Sequence, residues 1–192
     1  MQHEFIQARN YTAHTRKVPR VVKWIVIHAM QSAERPGTAR AVALWFAGKT
    51  ASPAPKASAH YNVDSTVIIQ CVREVDVAWG VNGSNSSTIH VEHAGMSEQT
   101  AAAWADVYST SMLTLSARLV AEIVARHGIP PVFCDAQRLK EGLPGITGHV
   151  HMRDAFGKTT HWDPGPNFPW GDYMAAVRRE HASILRTETG GA

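Results

Sequence analysis

Three residues that can bind a metal ion lie in separate segments of the sequence. His28 closes an apolar run, His149 follows Gly148, and Asp163 precedes Pro164-Gly165. Two imidazoles and a carboxylate form a zinc-type ligand set, and a catalytic zinc keeps a further position open for water. The sequence contains no HExxH motif, and its 11 histidines allow other combinations. The spacing alone therefore leaves the ligand set open.

A carboxylate lies on the polar side of an alternating segment, TIHVEH, at residues 88–93. In a strand, Ile89 and Val91 share one face, and His90 and Glu92 share the other. A carboxylate beside a zinc-activated water can accept a proton from it. Glu92 is therefore a candidate general base, with a surface strand residue as the alternative. On the same face, His90 is a candidate residue of the cleft.

The elements that must position these residues are predicted from apolar periodicity and turn residues. Strands are expected at 21–27, which ends at His28, at 59–63 and 67–72 as a hairpin, and at 88–93. Helices are expected at 38–47, 98–127, 135–140 and 173–185, with Ser97 capping the second of them. Apart from the helix at 135–140, the segment from Cys134 to Gly148 is predicted to be loop.

The order of these elements predicts an α/β fold with a mixed central β-sheet flanked by helices in a single domain. Residues 1–20 are expected to form an N-terminal arm, residues 21–185 the catalytic domain, and residues 186–192 a linker-like tail.

Composition excludes several classes of protein. The net charge is only +3 and no dense basic stripe is present, so nucleic acid is not an expected partner. No apolar run is long enough to span a membrane, and no signal peptide precedes the first strand. Cys71 and Cys134 are expected to be buried or inert. We expect a monomer without a membrane partner.

Four blocks of the sequence resemble one enzyme family. They are WIVIH at 24–28, SAHYNVD at 58–64, VAWG with STIHVE at 77–80 and 87–92, and ITGH with DPGPNFPW at 146–149 and 163–170. This pattern is similar to the zinc-dependent N-acetylmuramoyl-L-alanine amidases of the amidase-2 and peptidoglycan-recognition superfamily, in particular to phage endolysin amidase domains. The resemblance implies one Zn²⁺ and hydrolysis of the amide between the lactyl group of N-acetylmuramic acid and L-alanine in bacterial peptidoglycan.

The resemblance also implies roles for individual residues. His28, His149 and Asp163 fall on the zinc ligands, and Glu92 falls on the carboxylate that acts on the attacking water. His161 stands where many relatives carry Lys, so we expect it to stabilise the developing oxyanion. His151 competes with His149 as the second ligand, but the register of the TGH match favours His149.

Substrate contacts are expected from the block that carries Trp79. On the family pattern, Trp79 and Asn82 would lie, with Asp76, on a rim that contacts glycan or peptide, although a core role for Trp79 is an alternative. Another branch of the family places a catalytic Tyr at the position of Ala59, so Tyr61 is assigned to the core instead.

Two other functions stay open at this point. A recognition module of the same fold would bind muropeptide without cutting it, and a zinc peptidase would cut within the stem peptide. The endolysin resemblance implies synthesis in a host cytoplasm and action on the cell wall after release. The linker-like end, RTETGGA, fits a module of a longer chain.

Overall fold

A six-stranded mixed sheet forms the centre of the molecule in the computed structural model, which describes residues 3–15 and 17–189. The strands, in chain order, are β1 (Glu4–Phe5), β2 (Tyr11–Thr12), β3 (Trp24–Ala29), β4 (Tyr61–Val63), β5 (Ile68–Gln70), β6 (Val77–Ala78), β7 (Thr88–His93) and β8 (Gly145–Gly148). The helices are α1 (Thr38–Phe46), α2 (Ala101–Trp104), α3 (Val107–His127), α4 (Ala136–Lys140), α5 (His149–Phe156) and α6 (Trp170–Thr189).

The main sheet has the order β1-β5-β4-β7-β3-β8, and β2 pairs with β6 in a small separate sheet. β3 runs parallel to both β7 and β8, whereas β4 and β5 form the predicted antiparallel hairpin. The predicted fold class, a mixed sheet flanked by helices, is confirmed. Among the described residues, no helix is long and apolar enough to cross a membrane.

β3 is buried along its whole length because both of its faces are covered. Ile25 and Ile27 pack into the main core with side chains of α3 and α6. Trp24 and Val26 point to the opposite face, where Met152 of α5 packs against them. This two-residue alternation places the next side chain on the second face, His28, at the carboxyl end of the strand.

The predicted single helix over 98–127 is wrong, because the structure divides it into α2 and α3. The side chain of Thr100 accepts a hydrogen bond from Ala103 N and caps α2. The carboxylate of Asp106 accepts one from Ser109 N and starts α3. Ser97 therefore caps neither helix. α3 ends, as predicted, at Gly128, whose positive φ of 63° suits glycine.

β8 was predicted as loop, which is wrong. Its sequence, GITG, lacks the apolar alternation that identifies a strand. Gly145 is required there, because a Cβ at this position would lie 2.5 Å from the carbonyl oxygen of Val132. α5 follows β8 directly in the histidine-rich segment, for which no helix was predicted.

The N-terminal arm contributes to both sheets, through β1 and β2. At the other end, α6 extends to Thr189, beyond the predicted end at Leu185, so residues 186–189 of the expected tail are helical. Residues 190–192 of that tail lie outside the described residues. Cys71 and Cys134 are buried and unpaired, as expected.

Candidate metal centre

The candidate ligands meet at the carboxyl edge of the parallel strands. His28 lies near the end of β3 and is paired with Glu92 of β7. On the other side of β3, Ile27 is paired with Gly148, so His149 leaves the sheet at the same edge as the first residue of α5. Asp163 lies in the loop between α5 and α6, and its carbonyl oxygen accepts a hydrogen bond from Val150 N. Three separate segments therefore converge at one point.

The three side chains form a buried cluster. Nδ1 of His28 lies 2.9 Å from Oδ2 of Asp163, and Nδ1 of His149 lies 3.2 Å from Oδ1 of the same carboxylate. One ligand atom from each residue lies within 4.8 Å of the other two. No described residue outside this group belongs to another cluster of this kind.

The electrostatics of the cluster suit a cation. Burial would raise the pKa of Asp163, but hydrogen bonds and charge from His149 and His28 lower it far below its usual range, so the carboxylate is ionised. Burial lowers the pKa of His149 despite the neighbouring Asp163. Neutral imidazole and ionised carboxylate are the forms that coordinate metals. The donor set therefore fits a metal ion of the zinc type.

His151, the competing second ligand, lies outside the cluster. Its Nδ1 accepts a hydrogen bond from Gly148 N at 3.2 Å, and its ring packs edge-on against Phe133 and Trp170, with centroid distances of 5.0 and 5.6 Å. The structure thus brings His149, and not His151, to His28 and Asp163.

Glu92 lies on the wall of the same cavity, opposite His28 in the parallel strand pair. Its Oε2 is buried and has no hydrogen-bond partner among the described residues. Burial, with a smaller contribution from the charge of Asp163, raises the pKa of Glu92 to about 8. A carboxylate with a raised pKa and a free oxygen can accept and return a proton near neutral pH.

His161 lies at the mouth of the cluster. Its ring stacks on that of His149 at a centroid distance of 4.8 Å and an interplanar angle of 5°, and its Nδ1 lies 3.8 Å from Oδ1 of Asp163. The side chain is 71% exposed. Burial and the neighbouring His149 lower its pKa, so near neutral pH it offers a neutral N–H donor rather than an imidazolium.

The cluster opens into a cavity of about 960 Å³. Trp79 and Asn82 both line this cavity. The indole N–H of Trp79 donates to Oγ1 of Thr12 at 2.9 Å, which leaves the ring faces available for contact. Asp76, by contrast, accepts a hydrogen bond from His14 N, and it does not belong to the described wall.

The structure places His90 beneath the cavity and not on its wall. The residue is fully buried, and its Nδ1 lies 3.1 Å from Nε2 of His28. Burial, with charge from His28, lowers the pKa of His90 well below its ordinary value, so its ring is neutral. A direct substrate contact would need surface that His90 does not expose.

Two further residues contact the candidate ligands and were not found by sequence reasoning. Nδ1 of His93 donates to the carbonyl oxygen of His28 at 3.2 Å, and its Nε2 lies 2.6 Å from Oγ of Ser116. Oγ1 of Thr159 lies 3.1 Å from Nε2 of His149. His93 follows Glu92 at the end of β7, so the predicted strand already indicated that it lies near the candidate site. Thr159 lies in a loop that carries no such pattern.

Comparisons with known proteins identify the family of this chain. Residues 18–166 match the Amidase_2 family model, described as N-acetylmuramoyl-L-alanine amidase. The chain is 31% identical over 161 residues to N-acetylmuramoyl-L-alanine amidase A from Achromobacter lyticus, covering 80% of this chain and 81% of that protein.

Solved structures share the fold at low sequence identity. The Staphylococcus aureus hydrolase AmiA, solved in complex with its ligand, superposes with a TM-score of 0.71 at 17% identity, covering 96% of this chain and 85% of that one. A mutant endolysin from Bacillus subtilis superposes with a TM-score of 0.58 at 18% identity, covering 92% of this chain and 99% of the other.

Proposed function

The chain belongs to the Amidase_2 family of N-acetylmuramoyl-L-alanine amidases, and we propose that it hydrolyses peptidoglycan with a zinc ion held by His28, His149 and Asp163. Its activity is that of a peptidoglycan amidase, which cleaves the amide between the lactyl group of N-acetylmuramic acid and L-alanine. The observation that carries the zinc proposal is the buried cluster in which two imidazole nitrogens face one ionised carboxylate.

When bound, zinc supplies a Lewis acid that acidifies water and polarises a carbonyl group. Glu92 accepts the proton of the attacking water through its unpartnered Oε2. Its raised pKa supports the next step, in which Glu92 returns the proton to the departing nitrogen of L-alanine as the carbon–nitrogen bond breaks. The products are a free lactyl carboxylate and a stem peptide with a free amine.

His161 is proposed to donate its N–H to the carbonyl oxygen as negative charge develops there. Its position at the mouth of the cluster, stacked on His149, supports this role. Trp79 and Asn82 are proposed to contact the glycan or the peptide along the cavity wall. Action on the cell wall as an endolysin, after synthesis in a host cytoplasm, is the proposed setting.

The test combines product analysis with metal content. Mass spectrometry of digested peptidoglycan is expected to show stem peptides with a free L-alanine amine. A zinc peptidase would cut within the stem instead, and a recognition module would release nothing.

The His28→Ala, His149→Ala and Asp163→Ala variants should each lose zinc and wall lysis, because two ligands rarely hold a catalytic zinc. His151→Ala is the matched control. Loss of zinc in this variant, with zinc retained in His149→Ala, would overturn the ligand assignment.

A further inference from the structure

A buried chain of hydrogen-bonding side chains lies behind His28. Nε2 of His28 lies 3.1 Å from Nδ1 of His90, and Nε2 of His90 lies 2.8 Å from Oγ1 of Thr88. Thr88 in turn lies 3.2 Å from the carbonyl oxygen of Ser84 and 3.3 Å from that of Asn85. His90 and Thr88 are fully buried, and His28 is 3% exposed.

Two carbonyl oxygens at the end of the chain can accept the single hydroxyl proton of Thr88. When Thr88 donates to one of them, its oxygen accepts from His90, which places the ring proton of His90 on Nε2. A neutral imidazole carries one N–H, so Nδ1 of His90 is then an acceptor for the Nε2–H of His28. The reverse direction, in which Thr88 donates to Nε2 of His90, would place the ring proton of His28 on Nδ1 and block the atom that faces Asp163.

We propose that His90 is a positioning residue that holds His28 in the tautomer protonated on Nε2, which leaves the lone pair of Nδ1 free for the metal. This inference rests on the proposed zinc site. In this tautomer the hydrogen bond that Nδ1 of His28 can donate to Asp163 without a metal is lost, and the unprotonated Nδ1 faces Oδ2 of Asp163 at 2.9 Å. Two lone pairs at that distance repel each other, and a cation between the two residues would remove the repulsion.

The ring of His90 has little freedom to adopt another arrangement. A Cβ built on Gly80 would lie 2.6 Å from both Cγ and Nδ1 of His90, so the ring occupies the space that a side chain at residue 80 would need. On its other side, the ring of His60 stacks at a centroid distance of 5.7 Å. Nδ1 of His60 accepts a hydrogen bond from His90 N at 3.0 Å. His90 is thus fixed through both its ring and its backbone.

The first test reads the tautomer directly in the intact protein. Two-dimensional ¹H–¹⁵N NMR of the histidine side chains distinguishes Nδ1–H from Nε2–H rings. In the zinc-loaded protein, both His90 and His28 are expected as the Nε2–H tautomer. A His90 ring protonated on Nδ1 would overturn the inference. Failure of the parent protein to bind zinc would instead overturn the proposed function, so the two failures are distinguishable.

The second test compares two variants by zinc affinity, measured by competition with a chelator. In His90→Asn, the amide oxygen can take the place of the Nδ1 acceptor, so the zinc dissociation constant should stay within about threefold of the parent. His90→Leu removes the acceptor and should weaken zinc binding by about 10- to 100-fold. Thermal unfolding without zinc establishes that both variants fold. Equal affinities for His90→Leu and the parent, or equal weakening in both variants, would overturn the inference.

Discussion

Glu92, proposed to transfer the proton, and His161, proposed to stabilise the oxyanion, lie in different surroundings. Glu92 has a buried oxygen that has no hydrogen-bond partner in the described part of the chain, and this burial is the main cause of its raised pKa. His161 is largely exposed, and its contacts are with His149 and Asp163. Each environment predicts a separate effect of substitution.

Replacing Glu92 by Gln should abolish proton transfer while preserving the shape of the cavity wall. We expect kcat to fall by about 100-fold or more, the scale of general acid–base catalysis, with zinc content unchanged. Peptidoglycan turnover and zinc content are measured on the same preparation. Glu98→Gln, at an exposed position that does not line the cavity, is the control and should retain parental activity. Unchanged turnover in Glu92→Gln would remove Glu92 from the mechanism.

At His161, the lowered pKa means that the imidazolium form disappears below the ordinary histidine range as pH rises. Lysine stays charged through neutral pH and donates more strongly to an oxyanion than a neutral imidazole, so His161→Lys should raise kcat relative to the parent at and above neutral pH. His161→Ala should lower kcat without releasing zinc, because His161 is outside the ligand cluster. pH–rate profiles of the parent and both variants measure this effect. Superimposable alkaline limbs for the parent and the Lys variant would show that the charge of the donor is irrelevant.

The sequence predicted the candidate ligands only in combination with a family pattern. His28 could be placed at a strand end from its apolar run alone. The choice of His149 over His151 came from the register of a motif, since two histidines separated by one residue have no distinguishing local pattern. The contact between His90 and His28 could not be predicted, because the parallel pairing of β3 with β7 joins residues that lie 62 positions apart.

At the scale of elements, prediction succeeded where apolar alternation was strong. β7 was predicted with its observed bounds, and the hairpin of β4 and β5 was predicted from a polar turn between apolar runs. β8 could not be found, because two of its four residues are glycines and its stability comes from pairing with β3. The break between α2 and α3 depends on side-chain caps at Thr100 and Asp106. The apolar periodicity continues across this break, so it predicted one helix.

A carboxylate outside the candidate metal centre, that of Glu74 between β5 and β6, connects β4 to the end of α3. Glu74 accepts hydrogen bonds from the hydroxyl of Tyr61 at 2.6 Å, from Nη2 of Arg126 at 2.6 Å and from Nε2 of His127 at 2.7 Å. Burial alone would raise the pKa of Glu74, but these hydrogen bonds lower it from 4.5 to about 2. The ionised form is therefore more stable in the folded state than in the unfolded chain.

This lowered pKa predicts a pH-dependent contribution to stability. Since the folded pKa lies below the unfolded one, the contribution is complete above about pH 5 and is lost as pH falls towards 2. Glu74→Gln should reduce the free energy of unfolding by about 2 kcal/mol at pH 7, and the difference should shrink through that interval. Chemical denaturation of the metal-free protein measures it. Glu141→Gln, at an exposed position, is the control. A difference independent of pH would contradict the ionic origin.

At the scale of the whole molecule, the N-terminal arm packs as part of the core. Ile6 is 7% exposed and joins a cluster with Phe46 and Ile69. The backbone N–H of Ile6 donates to the carbonyl oxygen of Gln70 at 2.9 Å, and that of Arg9 donates to Phe46 at 2.8 Å. Phe46 also lines the cavity above the candidate metal centre. The arm therefore supports one wall of the site through a shared cluster.

The Ile6→Ala substitution tests whether the N-terminal arm, with its predicted boundary at residue 20, folds separately from the domain or as part of it. Ile6→Ala removes buried methyl groups and leaves a cavity, so the free energy of unfolding should fall by about 2–4 kcal/mol in chemical denaturation. Val18→Ala changes an arm residue that is 73% exposed, and its effect should stay within about 0.5 kcal/mol. An arm that merely trailed from the domain would make the two variants equally harmless. A large loss confined to Ile6→Ala would instead place the boundary of the cooperative folding unit before β1, because unfolding of the domain would then include the packing of the arm.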